Sequence, residues 1–61
     1  MQLIRLKEVT ALTSLSRSSI YKFISEGRFP KSVSLGDRAV AWIKEEIEEW
    51  IEARIAERDE R

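Results

Sequence analysis

The sequence predicts a mainly α fold with one small β-hairpin, on three observations. Residues 13–31 read as a turn, a capped helix and a glycine stop; residues 33–42 change to short apolar stretches around Gly36-Asp37-Arg38; residues 43–58 carry an apolar stripe at helical spacing. Two helices separated by three to four residues and followed by a hairpin make a winged helix-turn-helix. The expected bounds are about 6–27 for the helix-turn-helix, about 32–42 for the wing and about 43–58 for the last helix. With 61 residues there is room for one domain, and a chain of this size buries only about 60% of its unfolded surface, so its core is small.

Leu3 and Ile4 read as a short strand or an apolar anchor. Leu6, Val9 and Leu12 then repeat every three residues and predict one to two turns of supporting helix. Thr13 and Ser14 break that helix, Leu15 offers a plug for the turn, and Ser16 opens the next helix by accepting a hydrogen bond from a free N–H of its first turn. Gly27 suits the left-handed conformation that ends a helix, and Pro30 forbids its continuation.

With Ile20 pointing inward at 3.6 residues per turn, Phe23, Ile24 and Gly27 lie near it. Ser18, Lys22 and Ser25 then point away, with Arg17 and Tyr21 on the flank. This outward stripe carries donors and no carboxylate. It fits phosphates through Arg17 and Lys22, and base edges through serine, arginine or tyrosine side chains. An ordinary amphipathic surface helix fits the pattern equally well.

After Pro30, Val33 and Leu35 and then Ala39 to Trp42 form the two arms of a hairpin whose tip holds Gly36 and Asp37. The tip offers Arg38, with Lys31 and Ser34 on its approach, for a groove or phosphate contact. In the last segment Ile43, Ile47, Trp50, Ile51 and Ile55 follow i, i+4, i+7, i+8 and i+12, which lays the helix against the core. Glu45 and Glu46 suit its N-terminal dipole, and Lys44 can pair with Glu48. The closing residues 57–61 are expected to fray.

Composition excludes several functions. The chain has no cysteine and no histidine, so no activated thiol, triad or cysteine zinc site can be assembled. The glutamates of the last helix read as a solvated face, since no second element supplies converging ligands. No catalytic residue, cofactor, metal or small-molecule substrate is expected. Nor is a membrane partner, because no apolar run approaches a span of about 20 residues and no long apolar centre follows Met1. The expected setting is the cytoplasm, with nucleoid association when the chain is bound to DNA.

The net charge of zero conceals a division along the chain. Residues 1–44 hold eight basic against three acidic groups, and residues 45–61 hold three against eight, giving +5 and −5. A basic body with an acidic terminal helix can present one positive face to DNA while its far side repels non-specific contact.

In order and spacing, Leu15-Ser16-Arg17-Ser18-Ser19-Ile20-Tyr21-Lys22, Gly27-Arg28-Phe29-Pro30-Lys31, Val33-Ser34-Leu35-Gly36, Arg38-Ala39-Val40, Trp42, Glu46-Ile47 and Trp50 resemble the AlpA-type phage regulatory proteins. The resemblance runs from about Ile4 to Arg54. It implies a small winged helix-turn-helix related to the excisionase and MerR-type folds, with a recognition helix on Ser16 to Glu26 and a wing on Val33 to Val40. Members regulate prophage or genomic-island transcription, and similar proteins act as excision factors that bend DNA at attachment sites. Two departures stand out. Ser14 occupies a turn position where glycine is usual, and no Ser, Thr, Asp or Asn at 42–45 caps the last helix.

The expectation is therefore a non-enzymatic regulator that binds double-stranded DNA through Arg17, Ser18, Ser19, Tyr21, Lys22, Ser25, Arg28, Lys31 and Arg38. An excision factor is the alternative within that class, and a protein-interaction module using the acidic helix is the alternative outside it. MerR-type relatives dimerise through a long helix. Here the single stripe of the last helix is taken up by the core, so a monomer is expected in solution, with side-by-side association on DNA.

Overall fold

A computed structural model describes residues 1–60 of the chain. The elements run β1 (Leu3–Ile4), α1 (Leu6–Thr13), α2 (Arg17–Ser25), β2 (Val33–Gly36), β3 (Ala39–Ile43) and α3 (Lys44–Asp59). The fold is mainly α with a β wing, a winged helix-turn-helix.

The turn between α1 and α2 is built on Ser14, which sits in the left-handed region at φ 61° and donates its N–H to the Thr10 carbonyl. Leu15 follows as a half-buried plug against the core. Ser16 caps α2, its hydroxyl oxygen accepting the Ser19 N–H at 3.1 Å. The other end closes as the glycine foretells: Gly27 has φ 71°, and the Arg28 N–H reaches back to the Phe23 carbonyl at 2.8 Å.

β1 closes the sheet. The three strands are ordered β1-β3-β2, all antiparallel, with Leu3 opposite Ile43, Ile4 opposite Trp42 and Val33 opposite Ala41. Ile43 was expected in the last helix and instead ends β3, in extended conformation, because the Leu3 pairing captures it. α3 starts with no side-chain cap, and its first N–H, that of Lys44, is satisfied by the Gln2 carbonyl at 2.7 Å. Glu45 binds the N-terminal strand instead: it accepts the Gln2 N–H at 3.2 Å and lies 3.8 Å from the Met1 ammonium. That hydrogen bond holds the Glu45 carboxyl below its ordinary pKa. The expected Lys44–Glu48 pair is absent among the described residues. Residues 57–59, expected to fray, are helical, and Arg61 lies outside the described residues.

The core takes Ile4 from β1, Val9 from α1, Ile20 from α2, Phe29 from the loop, Trp42 from β3 and Ile47 from α3. β2 contributes nothing buried. The apolar stripes run past this small core: Leu12 at the end of α1 is 44% exposed and Ile55 near the end of α3 is 46% exposed. The premise that the core takes up the whole stripe of α3 therefore fails at Ile55.

Candidate nucleic-acid interface

α2 is held from behind and bare in front. Ile20 is fully buried, and Phe23 and Ile24 pack against the core. Arg17, Ser18, Tyr21, Lys22 and Ser25 are all exposed. At about 100° per residue they fall within one arc of less than half a turn. No carboxylate lies on α2, and neither Arg17 nor Lys22 has an ion-pair partner among the described residues.

Tyr21 lies on the Arg17 side of this strip, 40% exposed, with its ring edge-on to Trp42 at 6.4 Å between centroids. The Arg17 guanidinium lies 5.8 Å from the other partner of that stack, the Tyr21 ring centre. Trp42 thus supports a phenol that in turn supports an arginine, which limits the rotamers available to both exposed side chains. The Ser25 hydroxyl donates to the Lys22 carbonyl at 2.7 Å and keeps lone pairs free to accept.

The remaining expected contacts are dispersed. Ser19 turns to the cap, where its hydroxyl accepts from that of Ser16 at 3.0 Å, and it is half-buried away from the strip. Arg28 pairs with Glu26 at 3.2 Å and lies 4.9 Å from the Phe23 ring centre, at the C-terminal end of α2. Lys31 lines a depression shared with Glu46 and Glu49. Composition reveals that these residues are basic or polar. It does not reveal which neighbours the fold assigns them.

Arg38 sits at the wing tip at φ 60°, between Gly36 at φ 131° and the start of β3. The β2–β3 ladder shifts register between Ser34 and Gly36, so the tip is a bulged turn. A non-glycine residue held at positive φ costs about 1–2 kcal/mol. The base of the wing is fixed to α2 through Trp42, about 13 Å along β3 from Arg38 at 3.3 Å per residue.

Two indoles hold the segment between α2 and the wing, and the acceptors of their N–H groups could not be read from the sequence because both lie more than ten positions away. Trp42 donates to the Pro30 carbonyl at 3.1 Å and Trp50 to the Arg28 carbonyl at 2.8 Å. Among the described residues there is no cluster of three or more side chains suited to a metal ion, and no helix long and apolar enough to cross a membrane.

Residues 2–55 match the family model described as Prophage CP4-57 regulatory protein (AlpA). The chain belongs to this AlpA family. It is 49% identical over 55 residues to an uncharacterized protein of Enterobacteria phage P4, an alignment covering 90% of this chain and 62% of the phage protein. It is 34% identical over 59 residues to a protein of Escherichia coli K12 named DNA-binding transcriptional activator AlpA, covering 87% of this chain and 84% of that protein. The strip on α2, the glycine stop and the wing all fall inside the matched span.

Proposed function

We propose that this AlpA-family chain is a non-enzymatic regulator of the prophage or genomic-island type that binds double-stranded DNA. The observation that carries the reading is the α2 strip: five exposed donor-bearing side chains, cations at Arg17 and Lys22 with no ion-pair partner among the described residues, and no carboxylate. α2 enters the major groove with its N-terminal end, where Arg17 and Ser18 read base edges and the helix dipole favours phosphate. Lys22, Ser25 and the wing residue Arg38 then contact the backbone or the adjacent groove. The name of the Escherichia coli relative agrees with this reading. In free solution at micromolar concentration the chain is a monomer.

A second reading, an excision factor that bends DNA, is favoured by Leu35, which is 48% exposed on the wing next to the tip. An apolar side chain there can wedge against a base step.

Binding to duplex DNA at several salt concentrations tests the primary reading. With about four to six phosphates neutralised, log K falls against log salt with a slope of roughly −3.5 to −5.5. Affinity independent of salt defeats it and leaves the acidic-helix interaction module. Competition between cognate and scrambled duplexes then assigns roles. Arg17→Ala or Ser18→Ala costs about 1–3 kcal/mol on the cognate site and relaxes preference, whereas Lys22→Ala weakens all sequences alike.

A further inference from the structure

Two exposed apolar patches lie toward the two ends of α3, with Trp50 lining both depressions, and their rims carry opposite net charge. At the C-terminal end, Leu12 and Ile55, 44% and 46% exposed, line a depression with Ile51 and the arginines Arg54 and Arg58. At the N-terminal end lies the outer face of the sheet. Ile4 and Trp42 face the core, so strand alternation turns their neighbours Leu3 and Ile43 outward. Val33 shares a depression there with Ile43, the glutamates Glu46 and Glu49 and one cation, Lys31, so that the rim keeps a net negative charge. Leu3 is 43% and Val33 37% exposed.

We propose that these two surfaces bind each other between copies of the chain, the arginine-rimmed patch of one molecule seating on the glutamate-rimmed sheet face of the next. Neither patch matches itself, because two copies of the first would oppose arginine to arginine and two copies of the second would oppose glutamates in excess over Lys31. Arg54 and Arg58 are held by Glu57 and Asp59 at 2.7 and 2.9 Å, but all four side chains are exposed. Exposed pairs of this kind contribute little to stability and exchange readily for a partner's carboxylate.

The geometry makes the contact head-to-tail. Ile43 and Ile55 are about 18 Å apart along the helix at 1.5 Å per residue, and Glu46 and Glu49 project from the side of α3 away from Ile51 and Ile55. A molecule that covers one patch leaves its own counterpart free for a third, so the contact is heterologous and open-ended. It is also weak. A handful of apolar side chains on each side falls short of the ~1,200 Å² of a stable interface. The inference rests on the DNA-binding reading for its setting, since neighbours on one duplex meet at high effective concentration.

Sedimentation of the full chain without DNA tests it. At about 10 μM the mass is that of the monomer, 7.1 kDa, and towards about 1 mM the weight-average mass climbs past twice that value without a plateau. Arg58→Glu and Glu49→Lys each hold the mass at the monomer value. The double variant, in which the charges at 58 and 49 are exchanged, associates again. Circular dichroism shows all three variants folded. A monomer mass at about 1 mM, a plateau at the dimer, or a double variant that stays monomeric each overturns the proposal. DNA binding is read separately on a duplex long enough for one molecule only. Its loss with association intact defeats the DNA reading and not this contact.

Discussion

The indole of Trp42 donates its hydrogen bond to the carbonyl of Pro30, in the segment between α2 and the wing, at 3.1 Å. The same side chain is fully buried, pairs across the sheet through Ile4 and supports the ring of Tyr21 on the exposed strip of α2. One residue therefore connects core, wing base and candidate DNA face. Trp50 makes the corresponding contact to Arg28 at 2.8 Å from a half-buried position.

The two tryptophans should differ in cost. Trp42→Phe leaves a void in the core and an unpaired Pro30 carbonyl, and should destabilise by about 2–4 kcal/mol. In Trp50→Phe the Arg28 carbonyl can turn to water, and the loss should be about 1 kcal/mol. Urea denaturation of both variants checks the order. Equal losses would mean that Trp42 is no more central than Trp50.

Ser14 holds the turn at φ 61° without the glycine usual there, and its side chain makes no hydrogen bond among the described residues. Ser14→Gly should relieve more strain than the added unfolded-state entropy costs, a net gain of about 0.5–1 kcal/mol. For a domain of this size that raises the melting temperature by about 4–8 °C. A lower melting temperature would show that the serine is matched to its turn.

Glu45 gives the protein a specific response to acid. The Gln2 N–H bound to its carboxylate is the main reason its pKa lies below the ordinary 4.5. Since the folded value is below the unfolded one, the stabilisation is complete above pH 4.5 and is lost as pH falls through the folded value. Glu45→Gln should therefore be less stable than the parent at neutral pH, and the gap should narrow below pH 4.5. Thermal denaturation across a pH series measures this. A gap that widens on acidification would contradict the contact.

What could be read from the sequence was local. The bounds of α2 follow from Ser16, Gly27 and Pro30, whose effects reach no further than one turn, and the strip follows from helical periodicity. Ile43 misled because its spacing to Ile47 is that of a helix, whereas its partner, Leu3, lies 40 positions away. Ile55 misled for another reason: periodicity states which way a side chain points and not where the core ends. The same holds for Lys31, whose neighbours Glu46 and Glu49 are assigned by tertiary packing.

Arg38 should separate stability from affinity. Its φ of 60° suits glycine, and no ion pair holds the guanidinium among the described residues. The strained backbone is thus kept with a free cation at the wing tip, which is the expected state of a residue retained for a contact outside the fold. Arg38→Gly should raise stability by about 0.5–1 kcal/mol, as at Ser14, while weakening DNA binding and reducing the salt slope by about 1. Arg38→Ala removes the same charge without relieving the backbone, and should lower affinity equally with no gain in stability. Paired denaturation and salt-titration curves for the two variants distinguish these effects. If Arg38→Gly gains stability and leaves both affinity and slope unchanged, the wing tip makes no contact with DNA, and the interface is confined to α2.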